Sequence, residues 1–275
     1  MGVIGSNNIG AQQSLHSDYM LANKGKEARV RFAALAAIYD PQTIRHLETL
    51  GVARGWRCLE VGAGSGTIAK WLSDRVGPTG RVLVTDVDTR FLEPLRGPTL
   101  DVRAHDIGSD PLPNAEFDLI HTRLVLMHVR DRDTALAHMV SSLKVGGWLL
   151  VEEYDSWSLP PDPALSSGEV LLKTHVAMLR LLEDSGVNRR YGRLLSGLLR
   201  ESGLTNVEAS AQLFMWQSGS PGIAMMRANF EQLREAMIQA NYITPQQFDE
   251  DLARLNNPSI MMPSSILWSA WGRRS

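Results

Sequence analysis

The run Glu60-Val61-Gly62-Ala63-Gly64-Ser65-Gly66-Thr67 places three glycines at alternate positions between an apolar stretch and a stretch of helical period. Without Cβ atoms the backbone can turn tightly there and let a ligand approach closely. The first turn of the following helix also offers N–H groups that have no acceptor within the helix. A dinucleotide loop, G-x-G-x-x-G, would carry its third glycine at position 67, where this chain has Thr67. Asp86, followed by Val87, ends a second apolar run; its carboxylate has enough lone pairs to accept both hydroxyls of a ribose. Asp106-Ile107 ends a third run, placed to meet an adenine amino group and ring. Taken alone, either aspartate could equally be a turn former or helix cap. Two side chains could move a proton: His128, beyond a fourth apolar run, and Glu153, near the end of a fifth. Each has a structural alternative, a satisfied core histidine for the first and a strand-end carboxylate for the second. His121 reads as structural, and His16, His105, His138 and His175 have no partner pattern.

The elements that must position these residues follow from period and punctuation. Residues 57–64, 81–88, 100–107, 117–124 and 148–155 read as strands. Helices are expected over 67–76 and 131–144, with a short one at 91–97. Near-continuous apolar strands alternating with helices imply a parallel sheet covered on both faces. Before the glycine loop, 18–39 reads as a helix, and Asp40-Pro41 is expected to end it and start another. After the fifth strand, helices are expected over 166–186, 193–203, 221–241 and 245–257, and strands over 205–216 and 260–273. The helical stretch between those last two strands is long for a connection within a sheet. Together with the N-terminal helices it is read as a cap over the ligand end. The expected organisation is therefore a disordered stretch at 1–14, lid helices at 15–40, a core made of 41–217 and 260–275, and a cap insertion at 218–259.

The glycine loop, Asp86, Asp106 and the segments FDLIHTRLVLMHV and LKVGGWLLVEE stand in the order and spacing of the class I S-adenosylmethionine-dependent methyltransferases. The chain resembles the small-molecule branch of that family, common in bacterial secondary metabolism. The specific motifs lie between residues 41 and 155. The resemblance implies an α/β, Rossmann-like sheet of seven strands in the order 3-2-1-4-5-7-6, with strand 7 antiparallel, under a helical cap. It implies that Glu60, Gly62, Ala63, Gly64 and Gly66 border the amino-acid part of S-adenosyl-L-methionine. Asp86 and Val87 would hold the ribose, Asp106 and Ile107 the adenine, and Arg123 would lie beside the methionine moiety. Tyr19 would sit in a lid helix over the cofactor; packing is its other reading.

Composition narrows the function classes. The formal net charge is -2 and no block of Lys or Arg stands out, which disfavours nucleic acid as a partner. The one cysteine, Cys58, permits no internal disulfide and reads as a core residue, and no Cys/His cluster has metal spacing. No leader pattern and no membrane-length apolar run are visible, so a cytoplasmic enzyme without a membrane partner is expected; a homodimer is compatible with that. FDLIHTR lacks the Asn/Asp-Pro-Pro-aromatic pattern of amino-group methylation. The methionines near Met225 and Met261, with Trp216 and Phe230, form either plain core or an adaptable apolar pocket. The favoured reaction is in-line transfer of a methyl group to a small apolar or aromatic metabolite. Left open are a cyclisation or elimination on the same fold and cofactor, and methylation of a nucleic acid or protein.

Overall fold

A computed structural model describes Leu21, residues 25–158 and residues 172–275. The readings for 1–14, for Tyr19 and for the start of the helix expected from 166 lie outside the described residues. Seven strands form the main sheet: β1 (Arg57–Val61), β2 (Arg81–Asp86), β3 (Leu100–Ala104), β4 (Phe117–Arg123), β5 (Leu143–Asp155), β6 (Leu204–Gln212) and β9 (Ile266–Arg274). Their order is β3-β2-β1-β4-β5-β9-β6. β1 to β5 run parallel, and β9 is antiparallel to both β5 and β6. This is the order expected above, with β9 as the seventh strand of the sheet.

Alternation along the central strands divides the core into two layers. Cys58, Val82, Val84, Leu119 and Leu150 point to one face, where they join Leu72 and Val76 of α2 (Thr67–Val76) and Leu47 of α1 (Gly25–Thr49). Leu59, Leu83, Ile120, Leu149 and Val151 point to the other. Beneath that second face lie Leu136 and Met139 of α3 (Arg132–Ser142) and Leu195 and Leu199 of α5 (Tyr191–Glu201). Cys58 is fully buried, and burial pushes its thiol pKa up, as suits an inert core residue.

Three remaining helices, α4 (Lys173–Asp184), α6 (Pro221–Gln239) and α7 (Pro245–Arg254), pack on one another, and α6 also packs along α1. Local chemistry starts them. Ser220 caps α6 ahead of Pro221, and Thr244 with Gln247 forms a reciprocal capping box on α7. The buried Asp251 carboxylate of α7 accepts the Thr174 N–H from the first turn of α4 at 2.7 Å, tying these helices together.

Three sequence expectations are corrected. The helix does not restart at Pro41: α1 runs unbroken through it. Proline removes one helical donor, but Asp40 and Thr43 on either side are both held by Arg123 of β4, so tertiary bonds override the break. The strands expected over 205–216 and 260–273 are each split. Short strands β7 (Met215–Gln217) and β8 (Met261–Pro263) leave the main sheet and pair with each other. Pro263 cannot donate to a ladder, and Ser264 fixes the corner by exchanging hydrogen bonds with the Phe214 backbone. The short helix expected at 91–97 resolves into two 3-10 turns, Thr89–Phe91 and Glu93–Leu95.

Candidate active site

A cavity of about 500 Å³ opens at the carboxyl ends of β1, β2 and β4. The glycine loop leaves β1 with Gly62, Gly64 and Gly66 all at positive φ (66°, 56° and 77°), conformations that L side chains rarely adopt. Gly62 and Ala63 donate to the Thr85 carbonyl at 2.7 and 3.1 Å, which folds the loop onto β2. A Cβ at Gly62 would overlap Val125, and one at Gly64 would come within 2.7 Å of Phe32 Cε1. Gly62 through Ser65 line the cavity. Gly66 does not: its α-carbon faces Leu92 and Leu95, so this glycine serves packing.

Asp86 ends β2 almost buried. Its Oδ2 accepts the Gly64 N–H at 2.9 Å and its Oδ1 the Asp88 N–H at 3.0 Å. The carboxylate thus fastens the glycine loop to the turn after β2 and keeps further lone pairs in the cavity wall. Burial raises its pKa above the usual carboxylate range. Val87, Asp106 and Ile107 continue the same wall. Asp106 Oδ1 accepts the Gly108 N–H at 2.9 Å, which fixes the turn after β3.

Glu60, His121 and Glu152 occupy the alternate positions of β1, β4 and β5 that face α1, and together they form a buried charge network. His121 Nδ1 lies 2.7 Å from Glu60 Oε2, and its Nε2 lies 3.3 Å from Glu152 Oε2. Burial alone would push the imidazole pKa down, but the two carboxylates outweigh it and hold it at about 9, so the ring is a cation near neutral pH. Glu152 also accepts from Thr43 at 2.5 Å and from Ser269 at 2.6 Å. Arg123 borders the cavity, yet its guanidinium donates to Asp40 and Thr43, both at 2.7 Å. The side chains of Glu60 and Arg123 are therefore engaged within the protein. Sequence reading missed this network, although strand parity placed its three central members on one face.

The two candidate bases part company. His128 sits on a 3-10 turn (Leu126–His128) in the cavity wall, half-buried. Burial and the nearby Arg132 and Arg31 cations push its pKa down to about 4, so it is neutral at pH 7. Glu153 does not line the cavity, which corrects its reading as a base. It is fully buried, and its Oε1 accepts the N–H groups of Val125 at 2.9 Å and Leu126 at 2.6 Å, capping the turn that carries His128. Burial raises its pKa to about 8.

The far wall comes from the cap. His175, Met178, Leu179 and Leu182 share one face of α4, and Met225, Met226 and Asn229 share one face of α6; Trp216 of β7 and Arg31 and Phe32 of α1 complete it. Met225 and Met226 line the cavity and are at the same time part of the buried core cluster that holds Met237 and Met262, while Met261 is exposed. Among the described residues no group of three or more His, Cys, Asp or Glu side chains could hold a metal ion, and no helix is long and apolar enough to cross a membrane.

A family model described as a methyltransferase domain matches residues 59–151, from β1 into β5. A ubiquinone/menaquinone biosynthesis C-methyltransferase of Laribacter hongkongensis is 35% identical over 123 residues, 42% of this chain and 50% of that protein. The Bordetella parapertussis protein of the same name is 28% identical over 228 residues, 72% of this chain and 88% of that protein. Among solved structures, the YcgJ protein of Bacillus subtilis superposes with a TM-score of 0.57 at 17% identity, covering 86% of this chain and all of that one. A Haemonchus contortus phosphoethanolamine N-methyltransferase 2, solved with phosphomonomethylethanolamine and S-adenosylhomocysteine, gives a TM-score of 0.56 at 14% identity. It covers 91% of this chain and 58% of that one.

Proposed function

We propose that the chain is a class I S-adenosylmethionine-dependent methyltransferase and that it methylates a small, largely apolar molecule held beneath its cap helices. The observation that carries this reading is a single cavity bordered at one end by the glycine loop and Asp86 and at the other by the methionines of α4 and α6.

The residues present fit the cofactor. In the loop wall Gly62 and Gly64 have no room for a side chain, and Asp86 offers its remaining lone pairs to ribose hydroxyls. Val87, Asp106 and Ile107 would meet the nucleoside, with the backbones of Glu60 and Arg123 nearby. When bound, S-adenosyl-L-methionine supplies a methyl group already activated on a sulfonium. What the protein must add is alignment of the acceptor and exclusion of water. Phe32 and Leu35 of α1, with the methionines of α6, roof the cavity and do the second. His128, neutral but with a low pKa, is suited to orienting an acceptor or taking a proton from an acidic one. That favours phenol-like or enolised acceptors over alkyl hydroxyls. The curated relatives are named as C-methyltransferases of quinone biosynthesis, and an aromatic acceptor also suits the methionine-lined wall.

The test is incubation with a metabolite extract and methyl-labelled cofactor, followed by mass analysis. A labelled small molecule heavier by one methylene unit is the expected result. A product of unchanged mass, or label confined to RNA or protein, would overturn the reading.

A further inference from the structure

Besides His105 Nδ1 and the Tyr154 hydroxyl, two buried polar atoms of the cavity wall, both in the cap, have no hydrogen-bond partner within the protein. His175 is 3% exposed and its Nδ1 is buried without a hydrogen-bond partner. Asn229 Oδ1 is likewise buried and unpartnered. Both residues line the cavity, from helices α4 and α6 that pack on each other; the His175 ring lies 6.1 Å from that of Phe230, the residue following Asn229. An orphaned buried polar group costs stability, so such atoms are normally paired. The rest of the wall that α4 and α6 contribute offers no partner, being Met178, Leu179, Leu182, Met225 and Met226. None of these carries a charge or a hydrogen-bonding hydroxyl or amide.

We propose that His175 and Asn229 are specificity-determining residues of the acceptor subsite, and that the acceptor is an uncharged, flat, apolar molecule bearing a hydroxyl group. The hydroxyl donates to Asn229 Oδ1 and accepts from His175 in its Nδ1–H tautomer, while the methionines and Trp216 cover the apolar remainder. Burial and the Arg189 cation hold the His175 pKa down to about 4, so the ring stays neutral and suits a neutral partner. A site built to hydrogen-bond a hydroxyl rejects the analogue that lacks it, because its own polar atoms are then stranded. The inference rests on the methyltransferase reading above and refines its substrate class.

Equilibrium dialysis of the full chain saturated with S-adenosylhomocysteine, using 2-naphthol and 2-fluoronaphthalene as matched probes, tests it. The wild type should bind 2-naphthol at least about tenfold more tightly, a hydrogen-bonding preference. In Asn229→Leu and His175→Phe, each read separately, the preference should shrink to less than about threefold, with melting temperature no lower and S-adenosylhomocysteine affinity unchanged. A wild type that shows no preference, or binds neither probe, overturns the inference whatever the variants do. So does a preference retained in a folded variant, which would mean that water fills the site. Failure of the wild type to bind S-adenosylhomocysteine would instead overturn the methyltransferase reading itself.

Discussion

At the scale of single residues, Glu153 of β5 caps the 3-10 turn that carries His128, and the two do different work. Glu153 holds that turn through two backbone N–H groups and, with its pKa raised to about 8, is mostly protonated at pH 7. Glu153→Gln keeps an oxygen acceptor and mimics the neutral acid. Its turnover should therefore stay within roughly threefold of wild type, far from the 10²-fold or more lost with a general base. The variant should also melt higher than wild type at pH 8 to 9, where the wild-type carboxyl must ionise in the interior. A 100-fold loss of turnover in a folded Glu153→Gln protein would make the residue a base after all. His128→Ala should lower turnover by roughly 10²-fold, the low end for acid–base effects, and leave cofactor affinity intact. With its pKa near 4, His128 should put no inflection at pH 6–7 into the wild-type rate profile. An inflection there that vanishes in His128→Ala would contradict this placement.

Among elements, α1 is the most heavily tethered. Its first half roofs the cavity through Phe32 and Leu35, and its second half is bound to the sheet by Thr43 and His46 on Glu152. Glu152→Gln should cost on the order of 3 kcal/mol, because it leaves the His121 cation with Glu60 alone in a water-free layer. Chemical denaturation gives the value, and a loss below about 1 kcal/mol would mean that the network is not what fastens the helix. The strands and their order were legible because apolar runs, glycines and helical period alternate clearly from Arg57 to Asp155. The division of labour between Glu152 and Glu153 was only half legible. Strand alternation puts neighbours on opposite faces, but it does not say that α1 covers one face and the turn after β4 the other. The fate of 205–216 and 260–273 depended on a serine corner formed by residues 50 apart in sequence, a pairing no local pattern announces. His175 and Asn229 looked ordinary because their significance lies in the partners they lack.

For the whole molecule, buried titrating groups set the pH range of stability. His121 is raised to about 9, so its contribution is full below pH 6.5 and is lost as pH rises through 9. Glu153, raised to about 8, disfavours the folded state increasingly from pH 4.5 to 8. His128 and His175 are lowered to about 4, so the unfolded chain gains protons first and stability falls as pH drops from 6.5 to 4. Each group contributes a slope on the order of 1 kcal/mol per pH unit within its window. Melting temperature should peak near pH 6.5 and fall on both sides; a curve still rising from pH 7 to 9 would contradict these burials.

The central claim is that the cavity between the glycine loop and the cap binds S-adenosyl-L-methionine, and Asp86 is where it is most exposed to test. Calorimetric titration of the wild type with S-adenosylhomocysteine should give micromolar binding, while NAD gives none above background. Asp86→Ala should weaken the first by about 10- to 150-fold, the worth of hydrogen bonds to a charged group together with the loop that Asp86 fastens. Tight NAD binding without S-adenosylhomocysteine binding, or an unchanged affinity in a folded Asp86→Ala protein, would contradict the account.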